Sequence, residues 1–234
     1  MKAYWKSHVG LVREKNEDSV LVDESRGIYI LADGMGGHRG GEVASRLAAS
    51  TLLEALADQT PSLELLQKGF HQANDAVYRR QLEDSAVSGM GTTMTALWSG
   101  DEHILLGHVG DSRAYLYMNG RLRQISEDHS VVGDMLRAGA ITEEEAFHHP
   151  YRNVITRAVG TDDTVRVDTV RVLKSPGSRW LLCSDGLTDL VRDGEIADTL
   201  AELDGKEAVD RLVELALLNG GKDNVSVLLL EVDA

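Results

Sequence analysis

The residues best placed to do chemistry are four aspartates at the ends of apolar runs. Asp33, Asp111 and Asp185 each follow such a run, and Asp223 stands just before the last one. Apolar runs of this length, rich in β-branched residues, predict buried strands. If these strand ends converge, four carboxylates share one rim, and such close like charges need raised pKa values or bound cations. Because no Cys or His stands in ligand spacing there, the oxygen ligands favour Mg²⁺ or Mn²⁺ over Zn²⁺.

The stretch around Asp33 has a second feature, a glycine-rich loop that begins at Gly34. Glycine lets the backbone adopt positive φ and approach another group closely. An acidic residue beside such backbone suits a hard cation bound by oxygen. Asp-Gly is also the commonest hairpin signal. This stretch alone therefore leaves a metal site and a tight turn equally open.

Composition limits the protein's class and partners. The 234 residues predict one domain, 1–234, and the net charge of −14 disfavours binding to nucleic acid or to an anionic membrane. The charge indicates either an acidic surface or carboxylates gathered around cations. The single cysteine, Cys183, excludes an internal disulfide, and no signal peptide or membrane-spanning run is present. We therefore expect a cytoplasmic monomer.

Periodicity divides the chain into strands and helices. Two successive amphipathic patterns, at 41–57 and 61–77, predict helices that cover one face of a sheet. Helices are also predicted near 195–203 and 206–219, and a helical insertion at 128–160. The predicted strands lie at 2–9, 19–23, 28–32, 92–98, 103–109, 114–118, 121–125, 165–173, 179–183 and 225–232. The strands from 92 to 125, with a hairpin turn at Asn119-Gly120, predict one antiparallel meander.

Several motifs follow one another in a recognisable order. They are Arg13-x-x-Asn16-Glu17-Asp18, Ala32-Asp33-Gly34-Met35-Gly36-Gly37-His38, Val109-Gly110-Asp111-Ser112-Arg113, Cys183-Ser184-Asp185-Gly186-Leu187 and Lys222-Asp223-Asn224, together with Asp128-His129-Ser130 and His149-Pro150-x-Arg152-Asn153. Each motif is weak alone, but their order across nearly the whole chain makes a chance match unlikely. The sequence resembles the metal-dependent serine/threonine protein phosphatases (PPM, or type 2C) in their minimal bacterial form.

The resemblance implies an α+β fold. It is a four-layer α-β-β-α sandwich of two mainly antiparallel sheets flanked by helix pairs, with a small helical flap at 128–160. A binuclear Mn²⁺ or Mg²⁺ centre would lie at one end of the sheets. The family also implies a third metal ion.

Carried over by position, the family's site residues fall on the strand-end motifs. Asp33 would bridge two metal ions, and Gly34 would bind one of them through its carbonyl. Asp185 and Asp223 would hold the other ion. Asp111 would share the third ion with Asp185. The remaining expected site residues are Asp18, which would orient ligand waters, Glu17, which could contact a metal directly or through water, and Arg13, which would hold the substrate phosphate.

The resemblance also implies a reaction and partners. A hydroxide bridging two metal ions would attack the phosphorus of phosphoserine or phosphothreonine in proteins, and no protein nucleophile is needed. The opponent would be a bacterial eukaryotic-like Ser/Thr kinase.

In family members with a histidine directly after Asp-Gly, that histidine is the proposed acid. Here Met35 takes its place, so we expect His38 to be a loop residue, while Arg39 could contact a phosphopeptide.

Other readings of the same residues lack a required feature. A cysteine-dependent phosphatase needs Cys-x5-Arg, but Asp189 stands six residues after Cys183. An aspartyl-nucleophile phosphatase needs Asp-x-Asp, and Met35 occupies the second position. A two-metal nuclease is disfavoured by the acidic charge. A non-catalytic phosphoprotein-binding module would have lost a metal carboxylate, and none is lost. For Arg13 taken alone, a surface pair with Glu17 is the simpler alternative.

Overall fold

Residues 1–36 and 40–233 are described by a computed structural model. Its strands form two sheets in which neighbouring strands run antiparallel. The strands are numbered along the chain. Across the first sheet, neighbouring strands follow in the order β1 (Lys2–His8), β11 (Val225–Glu231), β10 (Arg179–Cys183), β7 (Arg113–Met118) and β8 (Arg121–Gln124). The second sheet contains β2 (Asp18–Asp23), β3 (Ile28–Met35), β5 (Met94–Ser99), β6 (His103–Val109) and β9 (Asp168–Leu173), and β4 (Gly91–Thr92) pairs with β3.

Seven α-helices connect the strands in the described part of the chain. They are α1 (Gly40–Leu56), α2 (Leu63–Glu83), α3 (Val131–Arg137), α4 (Glu143–Phe147), α5 (Asp185–Thr188), α6 (Asp193–Glu202) and α7 (Gly205–Leu218). None of the described helices is long and apolar enough to cross a membrane. Ser62 caps α2 by accepting a hydrogen bond from the Leu65 N–H. Thr142 and Glu145 form a capping box at the start of α4.

The alternation of side chains along each strand divides the core into three layers. On β3, Ile28 and Ile30 pack against α1 and α2, whereas Tyr29 and Leu31 face the other sheet. On β11, Leu228 and Leu230 meet them between the sheets, and Leu229 packs with α6 and α7. The expected four-layer α-β-β-α sandwich is therefore confirmed.

One prediction about the strands is wrong. The expected meander from 92 to 125 is divided, because β5 and β6 belong to the second sheet while β7 and β8 belong to the first. The chain crosses between the sheets at Gly110, whose φ of +113° is unfavourable for any other residue. A Cβ on Gly110 would lie 2.5 Å from the Cβ of Thr93. Asp111 therefore stands at the crossing, within reach of both sheets.

Smaller differences concern where elements begin. The predicted strand at 92–98 is interrupted at Thr93, whose N–H donates to the Asp33 carbonyl. The predicted strand at 165–173 begins only at Asp168. The predicted helical insertion at 128–160 lies between β8 and β9 and contains α3 and α4.

Candidate metal centre

Asp33 is fixed near the end of β3 by a neighbouring strand. Its N–H donates to the Thr93 hydroxyl at 3.0 Å, and its carbonyl accepts from the Thr92 hydroxyl at 2.8 Å. Asp18 is its direct partner on β2. Burial, followed by the charge of Asp18, raises the pKa of Asp33 well above its usual value.

Gly34 provides the close backbone approach that the sequence predicts. A Cβ at this position would lie 2.1 Å from the Gly41 carbonyl oxygen, so only glycine allows α1 to begin here. The Gly34 N–H donates to the Glu17 carbonyl at 3.2 Å. Burial raises the pKa of the Glu17 carboxyl. The Asp-Gly pair thus forms no hairpin turn; it lies at the end of a buried strand, packed on a helix.

Asp185 and Asp223 come from the opposite sheet. Asp185 is the first residue of α5, two residues after the end of β10, and Asp223 stands two residues before β11. Gly186 lets these two chain segments touch, since a Cβ there would lie 1.9 Å from the Asn224 carbonyl oxygen. Burial raises the pKa of Asp185 well above its usual value, and the charges of Asp111 and other nearby aspartates add to this.

Asp111 is 6% exposed, and its Oδ1 atom has no hydrogen-bond partner among the described residues. Burial, with a smaller contribution from Asp128, raises its pKa to about 7. The Oδ1 atom of Asp18 is also buried without a partner, while its Oδ2 atom accepts a hydrogen bond of 2.9 Å from the Ser184 hydroxyl. Burial raises the pKa of Asp18 to about 6. Unpaired buried carboxylate oxygens are unfavourable unless a proton or a cation neutralises them.

The strand ends converge on one cavity of about 770 Å³. Most of the predicted site residues line it: Arg13, Glu17, Asp33, Gly34, Asp111, Asp185 and Asp223. Asp18 does not line the cavity but lies behind Asp33. Met35, in the position of the family's histidine, lines the cavity wall. His38 and Arg39 lie outside the described residues.

The donor set of the cavity suits hard divalent cations, because its carboxylates and carbonyls are oxygen ligands. Within residues 1–36 and 40–233, no three acidic, histidine or cysteine side chains form a ready-made metal site.

Arg13 is paired with one of these carboxylates, since its Nη2 atom lies 2.6 Å from the Asp223 carboxylate. The hydrogen bond with Asp223 raises the pKa of Arg13. The suggested surface pair of Arg13 with Glu17 is therefore not formed.

One acidic residue of the site was missed by the sequence analysis. Asp189 lines a second cavity, of about 330 Å³, together with Asp111 and Asp185, and its charge helps to raise the pKa of both. It also accepts a hydrogen bond of 3.0 Å from Arg152, in the 128–160 insertion. The signal was available, because Asp189 follows Asp185 by four residues and thus lies one helical turn away.

The insertion forms the cavity wall opposite the carboxylates. Residues 153–158 line the cavity, and Thr156 and Val159 pair through their backbones with His129 and Thr92. Arg157 is held on this wall by Asp168, whose Oδ1 accepts its Nη1 hydrogen at 2.8 Å. The predicted flap segment is therefore adjacent to the candidate site.

Comparisons with known proteins agree with this geometry. A family model described as Protein phosphatase 2C matches residues 9–217. The serine/threonine phosphatase stp of Listeria monocytogenes is 39% identical, and the match covers 100% of this chain and 96% of that protein. PstP of Mycobacterium tuberculosis is 42% identical over 97% of this chain, which spans 44% of PstP.

Solved structures give the same result. The crystal structure of the Mycobacterium tuberculosis serine/threonine phosphatase PstP/Ppp matches with a TM-score of 0.93 and 39% identity, covering 100% of this chain and 99% of that one. The PstP catalytic domain in complex with two manganese ions matches with a TM-score of 0.91 and 38% identity, over 100% and 98% of the two chains. The chain therefore belongs to the PPM, or protein phosphatase 2C, family of bacterial serine/threonine phosphatases.

Proposed function

We propose that this protein removes phosphate from phosphoserine and phosphothreonine in proteins, with two divalent cations as cofactors. One observation carries the proposal: partly or fully buried carboxylates from both sheets meet at a single cavity that Arg13 also lines. The unpaired oxygens of Asp18 and Asp111 indicate that this charge is to be neutralised by a ligand. The cations would be Mn²⁺ or Mg²⁺, since the ligands are oxygen atoms.

Each carboxylate has a proposed place in the centre. Asp33 would contact both cations and the Gly34 carbonyl one of them. Asp185 and Asp223 would hold the second cation, and Asp111 with Asp185 would hold a third. Asp18, hydrogen-bonded to Ser184 behind the cavity wall, would orient the ligand shell from below. When bound, such cations supply a hydroxide at neutral pH and neutralise charge on the phosphoryl oxygens.

Arg13 would bind the substrate phosphate. Its guanidinium presents several donors in one plane, which suits a tetrahedral oxyanion. In the structure its Nη2 donates to Asp223 at the cavity wall. The guanidinium would lie beside the cation site that Asp223 helps to form, where it would orient the ester for in-line attack and stabilise the equatorial oxygens.

The chain's lone thiol has no part in this chemistry. Cys183 is buried and packs with the helix-facing core of the first sheet. Burial raises the pKa of its thiol to about 12, so the thiolate is not formed at neutral pH.

The wider setting follows from the substrate class. The partners would be phosphoproteins, and a Ser/Thr kinase would oppose the enzyme in the cytoplasm. We propose a monomer organised as one catalytic domain, with 128–160 as the flap beside the site.

The proposal is tested by phosphatase assays on a phosphothreonine peptide and a phosphotyrosine peptide, with and without Mn²⁺. We expect Mn²⁺-dependent release of phosphate from the phosphothreonine peptide, and loss of activity with chelator. Full activity of metal-stripped protein would contradict the mechanism. Preference for phosphotyrosine would contradict the substrate class. Binding of the phosphopeptide without turnover would indicate a binding module.

A further inference from the structure

Asn224 makes an unusually complete set of contacts beside the proposed cation ligands. It is 6% exposed. Its side-chain oxygen accepts a hydrogen bond of 2.8 Å from the Glu17 N–H. Its amide nitrogen donates to the Val9 carbonyl at 2.9 Å and to the Lys15 carbonyl at 2.8 Å. One side chain thus binds three backbone groups of another segment and uses both of its amide hydrogens.

These three backbone groups bracket Arg13. Val9 lies before it and Lys15 and Glu17 lie after it, so Asn224 ties together both ends of the segment 9–17. The same segment is tied once more to the turn before β11, because the Leu11 N–H donates to the Gly221 carbonyl at 2.7 Å. The Arg13 side chain itself is half-exposed. Its placement therefore depends on its backbone segment more than on packing around the guanidinium.

We propose that Asn224 is a positioning residue, which holds the segment 9–17 so that Arg13 meets the substrate phosphate. The inference rests on the phosphatase function proposed above. A long arginine side chain loses conformational entropy when it binds an anion, and a fixed backbone reduces that loss before the substrate arrives. Asn224→Ala would leave two carbonyls and one N–H without their partner and would remove three of the hydrogen bonds that hold the segment beside the turn that carries Asp223.

A double-mutant cycle separates this role from a merely structural one. Binding of inorganic phosphate is measured by calorimetry on four Mn²⁺-saturated proteins: the native chain, Arg13→Ala, Asn224→Ala and the double variant. We expect Asn224→Ala to weaken phosphate binding about tenfold in the native background, as for one lost charge-assisted hydrogen bond. We expect no further weakening in the Arg13→Ala background, because Asn224 then has no arginine to position.

A matched control addresses general destabilisation. Ser178 is also buried, and its hydroxyl donates to a backbone carbonyl, that of Ser175, at the far end of β10 from Asp185. Ser178→Ala should lower the melting temperature and leave phosphate binding unchanged. If Asn224→Ala does not fold, Asn224→Ser is measured instead, with the same expected direction.

Two results would overturn the inference. The first is equal weakening of phosphate binding by Asn224→Ala in both backgrounds, or no weakening in the native background. The second is a fall in Mn²⁺ affinity, measured by separate titration, that accounts for the whole loss of phosphate binding. A native protein without Mn²⁺-dependent hydrolysis would instead refute the proposed function, so the two failures are distinguishable.

Discussion

Asp18 and Asp33 are direct partners across the antiparallel pair of β2 and β3, so two carboxylic acids are neighbours, with Asp33 lining the cavity and Asp18 behind it. Burial raises the pKa of both, and the charge of Asp18 raises the pKa of Asp33 further, whereas a side-chain hydrogen bond with Asp33 opposes part of the rise in the pKa of Asp18. The fold therefore retains a pair of acids that only a proton or a cation can satisfy. Neighbouring buried acids with raised pKa values reduce the stability of the fold, and such groups are typical of a functional site.

Replacement of Asp33 should separate these two effects. Asp33→Asn removes one of the two facing charges and keeps the shape of the side chain, so we expect a higher melting temperature for the metal-free protein at about pH 7. The same variant should lose turnover, as should Asp33→Ala, because the proposed bridging ligand is gone. Calorimetry and a phosphopeptide assay measure the two effects. A substantial remaining rate would show that Asp33 does not bridge the cations.

The metal-free protein should become less stable as pH rises. Burial in the folded protein raises the pKa of Asp111 from about 3.8 to about 7, so folding favours its protonated form. Its contribution to the free energy of unfolding is fully present below about pH 4, decreases as pH rises, and is lost above about pH 7. Each unit of difference between the folded and unfolded pKa corresponds to about 1.4 kcal/mol of this free energy. Urea unfolding at about pH 5 and about pH 8, with Asp111→Asn as control, measures this. The free energy of unfolding of Asp111→Asn should rise relative to that of the native protein as pH rises. A constant difference between the two free energies would contradict the prediction.

Arg13→Ala should affect the substrate and not the metals. Loss of a phosphate contact of about 1.5–3 kcal/mol lowers kcat/KM by about tenfold to a hundredfold. Mn²⁺ affinity should stay near that of the native protein, because Arg13 would contact the phosphate and not the metal ions. Arg26→Ala, which removes an exposed arginine paired with Asp23, is the control. Unchanged kinetics on a small aryl phosphate would show that Arg13 is only a surface residue.

Asp111→Ala should separate a third metal ion from the binuclear pair. With Asp33, Asp185 and Asp223 intact, two Mn²⁺ ions should still bind with near-native affinity, while single-turnover rates fall. Asp189→Ala should give a similar result, since Asp189 lines the same second cavity. Loss of the two tight sites in calorimetric titration would place Asp111 in the core pair. Unchanged turnover would mean that a third ion has no role.

Thiol reagents should leave the enzyme active. Cys183 is completely buried in the native fold, so alkylation with N-ethylmaleimide should modify it only after unfolding. Cys183→Ala should retain activity and lower stability modestly, because a small core side chain is shortened. Mass spectrometry beside the activity assay measures both. Inhibition proportional to alkylation of native protein would contradict the proposed mechanism.

The sequence predicted which residues meet at this site better than it predicted how the strands connect. Asp33 lies two residues before the end of β3, and Asp111 and Asp185 lie two residues after β6 and β10. These positions are close to the predicted strand ends, because strand periodicity and glycine punctuation are local signals. The division of the strands between two sheets could not be predicted from the strand pattern. The pair Gly110-Asp111 is compatible with a hairpin turn within one sheet and with a crossing from one sheet to the other. The partner of Arg13 was also inaccessible, because Asp223 lies 210 residues further along the chain.

The sandwich gives each sheet one half of the site: Asp18 and Asp33 on one side, Asp185 and Asp223 on the other. The distance between the halves is set by apolar contacts such as those of Leu31 and Leu228, deep between the layers. A core substitution that slides one sheet along the other would therefore misalign ligands that it never touches. In natural variation, such inter-sheet positions should be constrained by catalysis as well as by folding.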